Sequence, residues 1–316
     1  MPKSAFRLSS LGVSLAPAGV LVVLVLGIGA VQPSFLSLYS LSVLAAECVP
    51  ILLLSLAQTA VILLGAIDLS IAAVASLASV LVALLLPGYG VAGLAAVLLL
   101  STLVGAGQGY VQFKAQIPSF VVTLAGMGLW SGVALSIAHT TVPVSRNYDL
   151  VGWIEGTLVG LPVSFLVSIA AGLMLWLSFR WSRMGRYVRA IGLGESAAIL
   201  SGVPVGGIKI MVFALSGLLA GLTGIASVAR TYSGNPSAAT SLLLPSIAAV
   251  VVGGTTITGG LGGFVQTIIG VLVITVLRVG IAVAGVDPGY EPLCYGLVII
   301  GAVALTTDRI RLAVVK

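Results

Sequence analysis

Apolar residues run along this chain in blocks far longer than a soluble fold needs. No Asp, Glu, Lys or Arg occurs in residues 8–46, 48–67, 69–113, 115–145, 156–179, 210–229 or 231–277. Each block reaches or exceeds the roughly 20 residues that a helix needs to cross the hydrocarbon core of a bilayer. Several are long enough for two crossings. Pro, Gly and polar breaks within the blocks predict helices near 12–31, 41–65, 70–87, 91–112, 118–139, 162–180, 209–229, 242–258, 262–284 and 291–306. The expected fold is therefore all-α: a polytopic transmembrane helical bundle of about ten spans, with broken or re-entrant helices, forming one membrane domain over residues 1–316.

Composition agrees with lipid as the main solvent. Hydrophobic residues make up 59% of the chain and charged ones 7%, against about a quarter charged in a soluble domain. The first apolar run, after Lys3 and Arg7, continues to about Ala30 without a clear small-x-small cleavage site, and so reads as a retained helix rather than a signal peptide. An even number of crossings puts both termini on one side. Lys3, Arg7, Lys114, Arg180, Arg183, Arg186, Arg189, Lys209, Arg309, Arg311 and Lys316 then fall together, opposite Arg146, Arg230 and Arg278. The positive-inside rule assigns the first group to the cytoplasm. The net charge of +6 is accordingly a topology signal, not a nucleic-acid patch. Residues 181–208 become the longest cytoplasmic connection, and residues 140–161 an outer segment suited to an interfacial or docking role.

Glycine clusters at 105–109, 217–224 and 253–263. Small residues let membrane helices approach closely where lipid supplies no hydrophobic drive. "LLGAIDLS" (63–70) and "VVGGTTITGGLGG" (251–263) each join two apolar runs through a Gly- and hydroxyl-rich turn, and both are expected helix breaks. They are also candidate echoes of a duplicated half.

Catalytic chemistry is hard to find. The glycine-rich "GGTTITGGLGG" lacks the Lys of a phosphate-binding loop, and no Lys lies between 210 and 315. The single histidine, His139, has no carboxylate or thiol beside it, and no hydrolase or intramembrane protease motif occurs. Cys48 and Cys294 sit in apolar segments without metal-ligand spacing, and read as buried free thiols. No catalytic residue and no metal site are expected.

Acids at membrane depth are better markers, because a charge there costs at least roughly 2.5–3.5 kcal/mol even on insertion scales. Glu47 and Asp68 flank the second predicted span; Asp68 is positioned to cap the next helix, and Glu47 lies one turn from Pro50 near the outer face. The remaining polar groups of the spans are neutral amides and hydroxyls, which suit a neutral, hydroxylated solute better than an ion. Gln58, Asp68, Phe120, Thr123 and Thr255 are the candidate path residues.

The stretch "SRMGRYVRAIGLGESAAILSGVPV" (182–205) gathers three arginines, an acid and small residues in the cytoplasmic connection, with a short helix from Glu195 to Ser201 stopped by Gly202 and Pro204. Its Gly-Arg, Ala-Ile-Gly, Glu-x-Ala-Ala and Ser-Gly sequence closely resembles the coupling loop in membrane subunits of bacterial ABC importers of ribose and related sugars. The resemblance extends to "GAIDLS" (65–70), "IPSFVVTLAGM" (117–127), "ALSGLLAGLTGI" (214–225) and "LPSIAAVVVGGTTITGGLGG" (244–263), together spanning roughly residues 45–305. It implies a permease subunit in the bacterial inner membrane that works as a homo- or heterodimer. A cytoplasmic ATPase holding ATP and Mg would drive it, an extracytoplasmic binding protein would deliver solute, and this chain would bind no cofactor and catalyse no reaction itself. Arg186, Glu195, Ala197, Ala198 and Gly202 would form the ATPase-coupling surface. Ala66 and Gly194 depart from the family's usual Gly and Asn, and ribose, xylose, arabinose, galactose, polyols, a sugar-like autoinducer and nucleosides all stay open. A secondary transporter or facilitator of a small neutral solute is the alternative.

Overall fold

The computed structural model describes residues 3–306, with side chains from Pro17 to Ala302 apart from Pro288. Lys3 and Arg7, as side chains, and Arg309, Arg311 and Lys316 lie outside the described residues. Among the described residues twelve helices follow in order: α1 (Lys3–Val31), α2 (Leu38–Leu63), α3 (Ile71–Ala115), α4 (Ser119–Ile137), α5 (Asp149–Gly152), α6 (Val163–Trp181), α7 (Arg183–Leu193), α8 (Glu195–Leu200), α9 (Val205–Thr231), α10 (Leu243–Val252), α11 (Phe264–Val283) and α12 (Glu291–Thr306). Six of them, α2, α3, α4, α6, α9 and α11, are long and apolar enough to cross a membrane. The protein is an all-α membrane protein.

Helix α3 is nominally 45 residues long but is not one rod. Gly90 takes φ 54° and ψ −129° inside it. A Cβ added at Gly93 would lie 2.9 Å from the Leu85 carbonyl oxygen, whereas eight residues of continuous helix rise about 12 Å. The chain therefore folds back at Gly90 into two limbs, which match the separate predicted segments 70–87 and 91–112. Another boundary moved: the segment expected over 242–258 stops at Val252, because Gly254, Gly259, Gly260 and Gly262 all take positive φ that a helix does not tolerate.

Helix α2 is apolar on every face, the pattern of a helix surrounded by protein, and residues 51–64 are all buried. Helices α9, α10, α11 and α6 pack around it. Hydroxyls on this axis turn inward: Thr59 Oγ1 lies 2.6 Å from Thr267 Oγ1, and Ser55 Oγ donates to the Ser246 carbonyl at 3.2 Å. Helix α9 runs antiparallel to the second limb of α3, where a Cβ on Gly105 would lie 2.0 Å from the Phe213 carbonyl oxygen and one on Gly217 2.1 Å from that of Ser101. Only glycine permits these backbones to touch.

Contacts define two ends. At one, Asn147 Nδ2 donates to the Leu86 and Pro87 carbonyls at 3.2 Å each, and Tyr148 stacks on Tyr232 with ring centroids 4.2 Å apart. There β1 (Val142–Pro143) pairs antiparallel with β4 (Ser233–Gly234), and β2 (Thr157–Leu158) with β3 (Leu161–Pro162). Glu47 lies at this end and pairs with Arg230 and, at 3.6 Å, with Arg278. At the other end are the last turn of α3 with Lys114, the foot of α6 with Arg180, and helices α7 and α8.

The glycine seam gives a direct test. Gly217→Ala should destabilise the protein by about 1–3 kcal/mol, the usual cost of overpacking, read as a lowered unfolding temperature in detergent. Gly107→Ala on the same limb as Gly105 has open space around its Cβ, and should leave that temperature unchanged or raise it through helix propensity.

Candidate functional site

The site begins where α2 breaks off. Leu64 and Gly65 end it, Gly65 at φ 80°, and the chain crosses to α3 through residues 66–70. Asp68 lies in this crossing with 3% exposure. One carboxylate oxygen accepts the Ser70 backbone N–H at 3.0 Å and the Ser70 hydroxyl at 2.6 Å; the other accepts the Ser216 hydroxyl of α9 at 2.7 Å. A buried carboxylate persists only when its lone pairs are answered, and here three donors answer them. Gln58 grips the same residue's backbone, donating from Nε2 to the Asp68 carbonyl at 2.5 Å. Thr123 donates to the Ile67 carbonyl at 3.2 Å, and Ser119 Oγ accepts the Ile67 N–H at 3.3 Å. Asp68 thus steadies the entry of α3 without itself capping it, Ser70 being the N-cap residue, and residues 67 and 68 together tie α2, α3, α4 and α9 at one point.

A second break lies between α10 and α11. Thr255 Oγ1 accepts the Gly263 N–H at 3.2 Å, and the Thr256 N–H donates to the Leu261 carbonyl at 3.1 Å, closing residues 253–263 into a compact glycine loop. This loop meets the first break: the Gly260 N–H donates to the Leu63 carbonyl at 3.0 Å. A Cβ at Gly259 would lie 2.8 Å from the Gly65 Cα.

Helix α7 seats on that junction. Ser182 caps it by accepting the Gly185 N–H at 3.2 Å. Near its other end, a Cβ on Gly192 would come within 2.1 Å of the Leu63 carbonyl oxygen and 2.5 Å of the Gly260 nitrogen. Three segments distant in sequence, around residues 65, 192 and 259, therefore touch through backbone alone.

The short helix α8 hangs from α7. Glu195 forms an ion pair with Lys209 at 2.7 Å, setting α8 against the start of α9. Gly202, at φ 77° and exposed, ends the segment as the sequence pattern indicates. Arg186 is exposed and donates to the Trp181 carbonyl at 3.4 Å, and Ala197 is exposed. Ala198 faces inward with 4% exposure, whereas Ile199 and Leu200 stand out at 56% and 89%. The apolar outer face of α8 is thus carried by Ile199 and Leu200, neither of which the sequence reading singled out.

Of the candidate path residues, Gln58, Asp68 and Thr123 come together at the first break and Thr255 braces the second, all four buried. Their polar atoms bond to backbone and to neighbouring hydroxyls. Phe120 is 54% exposed on α4. The residues missed here are Ser70 and Ser216. A buried acid demands donors, and Ser216 is one of few hydroxyls in the glycine-rich α9, but only the fold shows that it lies opposite position 68. Ser216→Ala should lower stability by about 1–3 kcal/mol by leaving a buried carboxylate oxygen short of a donor, measured by thermal unfolding in detergent. Ser227→Ala, whose hydroxyl bonds only within its own helix, should change little.

The profile of a family described as a branched-chain amino acid transport system permease component matches residues 39–304. The ribose import permease RbsC of Escherichia coli is 34% identical over 296 residues, covering 92% of each chain. That of Bacillus subtilis is 35% identical over 299 residues, 92% of this chain and 91% of the relative. The D-allose transport system permease AlsC of Escherichia coli is 29% identical over 295 residues, 92% of this chain and 90% of the relative. No solved structure matches the chain. With the match running from the start of α2 to the end of α12, through both breaks and the α7–α8 segment, this protein belongs to the bacterial transport-system permease family that the profile describes.

Proposed function

We propose that this chain is the membrane subunit of an ATP-driven importer of a sugar or sugar-like solute. It forms the path as one permease domain of ten crossings, counting α3 twice and α10 with its glycine loop as one, with both termini and α7–α8 in the cytoplasm. Relatives named for ribose and D-allose import, each aligned along some nine-tenths of their length, support the substrate class. They carry more weight for it than the amino acid wording of the broader family profile. ATP and Mg belong to a separate cytoplasmic ATPase, a second permease subunit completes the path, and an extracytoplasmic binding protein supplies the solute.

The contact of Gly192 with both helix breaks is the observation that carries the coupling role. The ATPase docks on the outward face of α8, where Leu200, Ile199, Ala197 and Gly202 are accessible. Arg186 flanks that face on α7. Glu195, held by Lys209, orients the helix, and Ala198 packs it inward. Closure of the ATPase displaces α7–α8, and Gly192 transmits the displacement to the Leu63 carbonyl and the Gly260 N–H together. Gln58, Asp68, Thr123 and Thr255 brace the two breaks so that they shift as units, and Phe120 lies on the α4 face turned toward the path. The shift of equilibrium equals only the difference in ATPase contacts between the two orientations. A neutral solute asks for no further charge movement.

Leu200→Asp should abolish ATP-dependent uptake in proteoliposomes and release the ATPase from the purified complex while leaving the unfolding temperature unchanged. Uptake at the normal rate by liposomes holding this chain alone would overturn the importer reading in favour of a facilitator. Orientation is tested separately. With Cys294 replaced by Ser, Ser196→Cys should react with an impermeant maleimide only after cells are opened, and Val159→Cys should react in intact cells.

A further inference from the structure

The outer end of the bundle holds an arrangement that the coupling machinery does not use. Glu47 of α2 pairs with Arg230 from the last turn of α9 and with Arg278 of α11 at 3.6 Å, and Arg278 Nε reaches Glu291, the first residue of α12, at 3.3 Å. Two arginines and two glutamates balance, so the cluster has no net charge to offer an ion. It is not sealed: the Arg230, Arg278 and Glu47 side chains retain 29%, 35% and 38% exposure. Those pairings engage one nitrogen of Arg230 and two of Arg278, out of about three on each guanidinium.

These three side chains line one side of a cavity of about 350 Å³, within the size range of small-molecule sites, roughly 300–1,000 Å³. The lining also holds Asn235, whose Nδ2 donates to the Thr141 hydroxyl at 3.1 Å and whose Oδ1 accepts the Ser237 N–H at 2.8 Å, and an apolar part that includes Pro50, Ala238 and Leu242. The cavity therefore offers guanidinium donors, a carboxylate acceptor, an amide and hydroxyls beside a broad apolar face. A monosaccharide presents the complement: hydroxyls that donate and accept at its edge, and C–H groups on its face.

We propose that this cavity is an outer binding site for a neutral monosaccharide, using Glu47, Arg230, Arg278 and Asn235 for its hydroxyls. The inference rests on the sugar-importer reading and adds to it a specific site, at the opposite end from Asp68. Because Glu47 bridges α2 to α9 and α11, a sugar bound there also bears on how those three helices are held.

The test uses the full-length chain in lipid nanodiscs with Cys294→Ser and Ser241→Cys, residue 241 being an exposed position of the lining. A maleimide labels the thiol introduced at position 241, and the rate is followed with a panel of aldopentoses and aldohexoses that includes D-ribose and D-allose. Sucrose at equal osmolarity and sodium sulfate serve as comparisons. At least one monosaccharide should slow labelling several-fold while sucrose and sulfate do not, and Asn235→Ala should remove that protection, judged against the same variant's own unprotected rate. Protection by sulfate instead would make it an anion site, and protection by none of the panel would leave no sugar site; either result overturns the inference. ATP-dependent sugar uptake by the wild-type assembly, measured alongside, separates the two readings: uptake without protection sinks this site alone, and absence of uptake sinks the importer reading.

Discussion

A backbone carbonyl inside a membrane protein must find its partner within the protein, since hydrocarbon supplies none. The Leu63 carbonyl, freed where α2 breaks, finds the Gly260 N–H, freed where α10 gives way to the glycine loop. Each interruption answers part of the other's loss. Side chains would hold these strands apart, so the pairing requires glycine at 65 and 259, and at 192 where α7 arrives against the same two groups. The α10–α11 loop, the end of α2 and the seating of α7 are consequently one structural unit.

Around that junction, rigidity and freedom are distributed by chemistry. The seam between α9 and the second limb of α3 is backbone against backbone and admits no added methyl, so those helices move together. The breaks are held by neutral hydrogen bonds and by positive-φ glycines, which shift at less cost than a packed helix does. Asp68 prevents this from becoming slack. Its carboxyl group draws Ser70 and Ser216 onto one point, and removing a donor leaves a buried oxygen unanswered.

Much of this was legible in the chain itself. Charge-free blocks located the helices, including both limbs of α3, because proline and glycine at 87–90 interrupt an otherwise uniform run. The glycine clusters located both breaks. What the pattern does not carry is which break meets which partner: nothing local to residue 192 announces that it lies on residues 63 and 260. Nor does alternation separate Ala198 from Ala197, because a six-residue helix is too short to display a face. The partners of Glu47 were equally hidden, since Arg230 and Arg278 lie some 180 residues or more away and read separately as topology signals.

The two ends of the bundle follow opposite electrostatic rules. At the Glu47 end the charges neutralise one another beside a cavity lined by both polar and apolar residues. At the α7–α8 end, Arg183, Arg186 and Arg189 recur along α7, Glu195, the one acid on α7 and α8, is held by Lys209, and α8 exposes Ile199 and Leu200 beside Glu195, Ser196 and Ala197. A bare apolar helix face beyond the membrane is costly in water and becomes favourable when a partner covers it. Ile199 and Leu200 are the apolar part of that surface, 56% and 89% exposed. That surface is joined to both breaks through the close approach of Gly192 to the Leu63 carbonyl and the Gly260 nitrogen, so α7, the end of α2 and the glycine loop share one packed contact.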